Sequence, residues 1–182
     1  EGLETLKAQE EVASIVLEEI YTISLDGSVP QIGVPEVRGV RPGGINLTGI
    51  NQTVCVIDTG IDYTHANLGN CSTENLTNGA CGKVLAGHDF CADDTSCATT
   101  DTDPIDVHGH GTHVSGIVAS NHSTYTGVAP DARLIALKVC NSSGSCPNSD
   151  IIAALDWCVT NKTLFNISVV TMSLGGGLLS SS

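Results

Sequence analysis

The stretch TVCVIDTG, residues 53–60, decides the fold of this chain. It is a run of β-branched and apolar residues that ends in a carboxylate, Asp58, followed by Thr59 and a glycine. A continuous apolar run of this length predicts a strand buried on both faces, as in a parallel sheet. Sites in such sheets form where strands end, so Asp58 is the first candidate for a functional residue.

The segments that follow alternate between strand-like and helix-like patterns. Strands that alternate with helices predict parallel pairing through right-handed crossovers, with both faces of the sheet covered. We therefore expect an α/β fold. The predicted strands are 83–90, 132–139 and 168–174, and the predicted helices are 111–120 and 149–160, the latter capped by Ser149.

The first 26 residues differ in composition from the rest and hold most of the glutamates. They predict a short helix followed by a strand over 15–25. The prolines and glycines of 27–44 interrupt regular structure and predict an extended connector. We expect a domain boundary near residue 27.

Charge and hydropathy exclude two classes of partner. The chain has 20 Asp and Glu against 7 Lys and Arg, a net charge of -13, and such a surface repels phosphate backbones. No apolar run approaches the roughly 20 residues that span a bilayer. We expect no nucleic-acid partner and no membrane span. No signal peptide is visible, so we expect a processed form or an excerpt of a longer protein.

Asparagine and cysteine usage indicates an extracellular or cell-surface glycoprotein. Of eleven asparagines, eight begin an Asn-x-Ser/Thr acceptor triplet, where chance would give about two. The eight cysteines contain no Cys-x-x-Cys pair, which favours disulfides over zinc. The triplets begin at Asn46, Asn51, Asn70, Asn75, Asn121, Asn141, Asn161 and Asn166.

Three short disulfide closures are suggested by loop-like flanking residues: Cys71 with Cys81, Cys91 with Cys97 and Cys140 with Cys146. The other two cysteines, Cys55 and Cys158, lie in apolar segments and either pair or remain buried thiols. Eight cysteines allow 105 pairings, so this connectivity is a hypothesis.

A second stretch, HGHGTHV at 108–114, supplies a histidine that could work with Asp58. Glycines on both sides of His110 allow close backbone approach. A carboxylate can orient such an imidazole through one ring nitrogen while the other takes a proton from a nucleophile. Zinc held by His108, His110 and His113 with Asp106 is an alternative, but the His-Glu-x-x-His spacing is absent.

Four blocks, VCVIDTGID, HGHGTHVSGIVA, GVAPDARLIALKV and VVTMSLGGG, together resemble the subtilisin-like serine peptidases in order and spacing, over about residues 28–177. The resemblance implies a three-layer subtilisin-like fold with a mainly parallel sheet, truncated here to its N-terminal half. It also implies a secreted endopeptidase that acts on peptide or protein substrates.

The resemblance assigns roles residue by residue. Asp58 matches the catalytic aspartate and His110 the general base, whereas His113 matches a structural histidine and His108 a loop residue. The substrate-binding edge matches Ser173, Leu174 and Gly175, and the facing segment matches Gly144 and Ser145; both would pair with an extended peptide.

The resemblance also defines what the chain lacks. The blocks Gly-Thr-Ser-Met-Ala, with the nucleophile, and Ala-Gly-Asn, with the oxyanion asparagine, do not occur in these 182 residues. Neither Ser115 nor 180–182 offers an activated hydroxyl. We expect the C-terminal half of the domain as a partner, and no activity from this chain alone. Residues 1–26 resemble the tail of an inhibitory propeptide, which implies a zymogen and makes 27–182 the peptidase part.

Two further alternatives remain open. The chain could instead be a non-catalytic extracellular scaffold or surface glycoprotein built on a degenerate peptidase half. The acidic loop with Asp93, Asp94, Asp101, Asp103 and Asp106 could bind Ca²⁺ or be only solvated. A calcium site common in the family is not expected, because its aspartate is matched by Asn67 and the loop at 123–126 is short.

Overall fold

The computed structural model describes residues 29–175 and contains a sheet of four parallel strands. They are β1 (Thr53–Asp58), β2 (Val84–Asp89), β3 (Arg133–Lys138) and β4 (Ile167–Met172), in the order β2-β3-β1-β4. The α/β class is confirmed. The predicted propeptide remnant and the boundary near residue 27 lie outside the described residues.

Helices cover both faces of the sheet and give the expected three layers. Along β1, Val54 and Val56 pack in one core cluster with α3, whereas Cys55 and Ile57 pack in a second cluster with α4. This alternation is the side-chain period of a strand buried on both sides. The helices are α1 (Val34–Gly39), α2 (Thr73–Thr77), α3 (His110–Ala119), α4 (Asn148–Thr160) and α5 (Lys162–Phe165), with 3₁₀ turns at Pro42–Gly44 and Ala66–Leu68.

The strand register brings the carboxyl ends together at one edge. Asp58 at the end of β1 lies opposite Lys138, which also lies opposite Asp89 at the end of β2. On the other side of β1, Ile57 lies opposite Met172. The loops that leave these strands therefore meet at one place, which is where the candidate site forms.

Two local predictions were wrong. The segment predicted as an extended connector contains α1, which has Pro35 in its first turn, where proline is tolerated. The guanidinium of Arg38 holds this helix in place by donating to the carbonyl groups of Gly127 and Val128. Ser149 does not cap α4, which begins one residue earlier and has Pro147 at its N-cap position.

All eight cysteines are paired in the structure. The three short closures are present, and Cys55 of β1 pairs with Cys158 of α4. This last bond joins the central strand to the helix that covers it, and its two residues are 103 positions apart. In the part of the chain that the structure describes, no helix is long and apolar enough to cross a membrane.

Candidate active site

The structure brings Asp58 and His110 together. Nδ1 of His110 lies 2.7 Å from Oδ1 of Asp58, and the carboxylate is buried whereas 42% of the histidine side chain is exposed. An ionised carboxylate only accepts hydrogen bonds, so Nδ1–H is the donor. The same Oδ1 accepts the backbone N–H of Thr59 at 2.8 Å. This arrangement leaves Nε2 as the ring nitrogen available to a reacting group.

Two glycines let α3 begin this close to the end of β1. Gly109 precedes the helix with φ 100°, a left-handed conformation that favours glycine. At Gly111, a Cβ atom would clash with the carbonyl oxygen of Gly60. The backbone N–H of Gly111 instead donates to Oγ1 of Thr59 at 2.8 Å. Both glycines therefore serve the approach of His110 to Asp58.

Sequence reasoning missed the structural role of Asp106, which it placed only in the acidic loop and the zinc alternative. Its carboxylate accepts hydrogen bonds from the backbone N–H groups of His108, Gly109 and Thr112 and from the hydroxyls of Thr59 and Thr112. Burial alone would raise the pKa of Asp106, but these hydrogen bonds outweigh it and lower the pKa. An aspartate just before a helix was the available signal.

Two segments form the walls of a cleft of about 800 Å³ that contains Asp58 and His110. We call residues 140–146 the ring wall, since a disulfide closes it, and residues 173–175 the edge wall, since it follows β4 at the edge of the described sheet. Both contribute residues to the lining, including all five predicted substrate-binding residues. The predicted catalytic and substrate-binding residues thus line one cavity.

The family of the chain follows from comparison with known proteins. The model of the subtilase family, Peptidase S8, matches residues 49–181, which is more than half of the chain. This chain belongs to the subtilase family. Subtilases are serine peptidases, and the matched region contains both β1 and α3, which hold the Asp58–His110 pair.

Individual relatives agree with the family model. Serine protease AprX of Bacillus subtilis is 36% identical over 149 residues, covering 78% of this chain and 29% of the relative. Subtilisin E of the same species is 36% identical over 152 residues, covering 82% and 33%. A subtilisin-like protease of Coccidioides posadasii is 32% identical over 187 residues, covering 97% and 41%. The chain thus spans less than half the length of these relatives.

A solved structure supports the fold of this subtilase. The crystal structure of a cold adapted subtilisin-like serine proteinase matches with a TM-score of 0.54 and 33% sequence identity. The match covers 73% of this chain and 40% of that one.

The other histidines of the stretch lie in different surroundings. His108 lines the cleft and faces Gly144 of the ring wall; its ring centroid is 6.4 Å from that of His110. His113 lies outside the cleft, in a second cavity of about 590 Å³ on another side of α3. Ser115 is fully buried, which fits the expectation that it is not a nucleophile.

The first two carboxylates of the acidic loop, Asp93 and Asp94, are bound by other groups of this chain. Asp93 accepts four hydrogen bonds from residues 95–98, and the pKa of its carboxyl is held well below the usual range by the Ser96 hydroxyl and the backbone N–H groups. Asp94 forms an ion pair with Lys138 at 2.6 Å. Their oxygen atoms are therefore directed to different partners.

The second part of the loop does the same. Asp101 accepts the backbone N–H of Asp103, which itself accepts the hydroxyl of buried Tyr63 at 2.6 Å. Burial and this bond raise the pKa of Tyr63 to about 12. Within residues 29–175, no three His, Cys, Asp or Glu side chains are grouped to hold a metal ion. The four aspartates are not grouped around one point in this arrangement, and calcium binding stays an untested prediction.

The eight acceptor triplets divide by the contacts of their asparagines. Three side-chain amides donate to backbone carbonyls: Asn141 to Thr95, Asn161 to Trp157 and Asn166 to Asn51. The amides of the remaining five form no hydrogen bond with other described residues, and these five asparagines are exposed. The five are Asn46, Asn51, Asn70, Asn75 and Asn121.

Proposed function

We propose that the complete protein is a secreted serine endopeptidase in which Asp58 and His110 are two members of an Asp-His-Ser triad. The observation that carries this proposal is the 2.7 Å hydrogen bond between His110 Nδ1 and Asp58 Oδ1 in the lining of a cleft. The serine and the oxyanion asparagine would come from outside the 182 residues, so this chain alone would not hydrolyse peptides.

The geometry supports a definite division of labour. Asp58 holds the imidazole so that Nε2 is the basic nitrogen, and His110 takes the proton of the serine as the hydroxyl attacks the peptide carbonyl. The imidazolium that forms is then stabilised by the buried carboxylate. His110 returns the proton to the leaving amine, and water repeats the sequence on the acyl-enzyme.

Substrate would lie between the ring wall and the edge wall in an extended conformation. The backbone N–H groups of Gly144 and Ser145 are already used by Asn141, at 2.9 Å and 3.0 Å. A bound peptide would therefore donate its own N–H groups to carbonyl oxygens of the ring wall. The edge wall would supply the remaining backbone pairing.

The rest of the domain would cover β4. This strand lies at an edge of the described sheet, and Val169, Val170 and Met172 are exposed there. An uncovered edge with apolar side chains is a site of aggregation. We propose that the C-terminal half, which would also carry the serine, packs on this surface, and that residues 1–26 belong to an inhibitory propeptide. The four disulfides and the acceptor triplets support secretion.

The test uses the complete protein and a serine-directed fluorophosphonate probe. We expect the parent protein to be labelled and to cleave peptides, and the His110→Ala variant to lose both because the serine is no longer activated. The kcat should fall about a millionfold for His110→Ala and about 10⁴-fold for Asp58→Asn. An unlabelled parent protein that still binds peptides would favour the alternative, a non-catalytic surface glycoprotein.

A further inference from the structure

The ring wall is folded around one side chain, that of Asn141. Oδ1 of Asn141 accepts the backbone N–H groups of Ser143 and Ser145, both at 3.0 Å. The backbone of Asn141 closes the same loop: its N–H donates to the carbonyl of Ser145 and its carbonyl accepts from Gly144, both at 2.9 Å. These four bonds fix residues 143–145, which are three of the ring-wall residues that line the cleft.

The amide nitrogen of the same side chain joins the ring wall to a second disulfide-closed loop. Nδ2 of Asn141 donates to the carbonyl of Thr95 at 2.7 Å, inside the loop that Cys91 and Cys97 close. The neighbouring Ser142 donates to the carbonyl of Asp94 through its hydroxyl, at 2.8 Å, and through its N–H. This second loop, residues 91–97, which we call the outer loop, therefore supports the ring wall through these three hydrogen bonds.

The outer loop is itself fixed from below by a buried ion cluster. The ammonium of Lys138, only 1% exposed, contacts Asp89 at 2.8 Å, Asp94 at 2.6 Å and the carbonyl of Cys91 at 2.9 Å. A chain of contacts thus runs from β3 through the outer loop to Asn141 and the cleft. Of the eight acceptor asparagines, all of them among the described residues, only Asn141 belongs to a wall of the cleft.

We propose that Asn141, although it begins an acceptor triplet, is a positioning residue for the ring wall and carries no glycan. A sugar would be attached to the nitrogen that donates to Thr95, at the contact between two disulfide-closed loops. The side chain acts on substrate only through residues 143–145, so its function is to hold their carbonyl groups in place for the peptide. This inference rests on the proposed function, since it takes the ring wall as a substrate-binding surface.

The kinetic test compares Asn141→Ala with Asn121→Ala in the complete protein, on a quenched-fluorescent peptide that the parent cleaves. Both variants remove an acceptor triplet, but only the first removes hydrogen bonds. For Asn141→Ala we expect KM to rise about tenfold with kcat within about twofold, because the lost contacts serve binding and not the chemical step. Asn121→Ala should keep the KM of the parent.

Hydrogen exchange reads the same loop without any need for turnover. The amides of Ser143 and Ser145 should exchange faster in Asn141→Ala, and should stay protected in Asn141→Asp, which keeps the acceptor oxygen but loses the donor to Thr95. If Asn141→Ala does not fold, Asn141→Asp decides: we expect an intact loop with KM raised about threefold. Mass spectrometry of glycopeptides from the parent should find residue 141 unmodified.

Each contrary result has a separate meaning. A glycan on Asn141 of the active protein, or an Asn141→Ala variant that matches Asn121→Ala in KM and exchange, overturns the positioning role. If the parent protein cleaves no peptide, the proposed function fails. Unchanged exchange at Ser143 and Ser145 in Asn141→Ala would then reject the positioning role as well. Faster exchange would still show that Asn141 fixes the backbone of residues 143–145.

Discussion

The two walls of the cleft are held in different ways. The ring wall is closed by Cys140–Cys146, folded around Asn141 and supported from below by Lys138. The edge wall follows β4, and among residues 29–175 its three residues make no hydrogen bond. Hydrogen bonds and a disulfide of the described chain fix the ring wall, whereas among the same residues the edge wall has the packing of Leu174 against the core under α4 and no hydrogen bond.

The difference shows what this part of a subtilase can and cannot form by itself. The ring wall and the Asp58–His110 pair both depend on β1, β3 and α3, which are buried against one another. The edge wall depends on β4, whose residues from Ser168 to Val170 are exposed. We therefore expect a mutation beneath the ring wall to weaken contacts within residues 29–175. A mutation on β4 should instead weaken contacts with the rest of the domain.

The largest effect is expected beneath the ring wall, at Lys138. Burial alone would favour the neutral amine, but hydrogen bonds to Asp89 and Asp94 raise the pKa of Lys138 and keep the ammonium charged. Lys138→Met leaves the buried Asp89 carboxylate without its cation, so the free energy of unfolding should fall by about 3–5 kcal/mol. Chemical denaturation of the complete protein, in a His110→Ala background that prevents self-digestion, measures this.

The control lies on the same strand. Arg133 begins β3 and its side chain is exposed, so Arg133→Met should change the free energy of unfolding by less than about 0.5 kcal/mol. The double variant Lys138→Met with Asp89→Leu should recover part of the loss, because no buried charge remains unpaired. Equal losses for Lys138→Met and Arg133→Met would show that the ion cluster does not stabilise the fold.

The sequence predicts the part of this architecture that has a local pattern. The strand that ends at Asp58 and the helix that starts near His110 follow from apolar runs and glycines, and the pairing of the two follows from parallel topology and the resemblance. The pairing of Asp58 with His110 can therefore be predicted from the sequence.

The rest depends on contacts between distant residues. The helix α1 was missed because prolines and glycines predict irregular structure, whereas Arg38 binds carbonyl groups 89 and 90 residues away. The support of the ring wall was missed because Asn141 and Thr95 are 46 residues apart. In the sequence, Asn141 indicates a glycosylation site and Thr95 belongs to an acidic loop, and neither pattern predicts that the two residues are in contact. Side-chain to backbone bonds of this kind leave no periodic signal in a sequence.

A smaller effect is expected on the side of the edge wall, at Val169. This residue is 51% exposed on β4, and Val37 on α1 is 52% exposed. If the rest of the domain covers β4, Val169→Asp buries a carboxylate in the complete protein and should lower the free energy of unfolding by about 2 kcal/mol. Val37→Asp, matched in type and exposure, should cost less than about 0.5 kcal/mol. Equal costs would mean that β4 stays uncovered.

The smallest effect is expected from Asp106, which fixes the start of α3 on the side of the ring wall and the Asp58–His110 pair. Because its folded pKa is lowered, the ionised carboxylate stabilises the fold above the ordinary aspartate pKa of about 3.9, and this contribution is lost as pH falls through the lowered value. Asp106→Asn should cost about 1 kcal/mol at pH 7, since an amide cannot accept all five hydrogen bonds, and should flatten the fall in stability below about pH 4. Urea unfolding at several pH values measures both. Asp156→Asn, on the exposed side of α4, should follow the parent curve, and an Asp106→Asn curve that also follows it would remove Asp106 from the account of how His110 is placed.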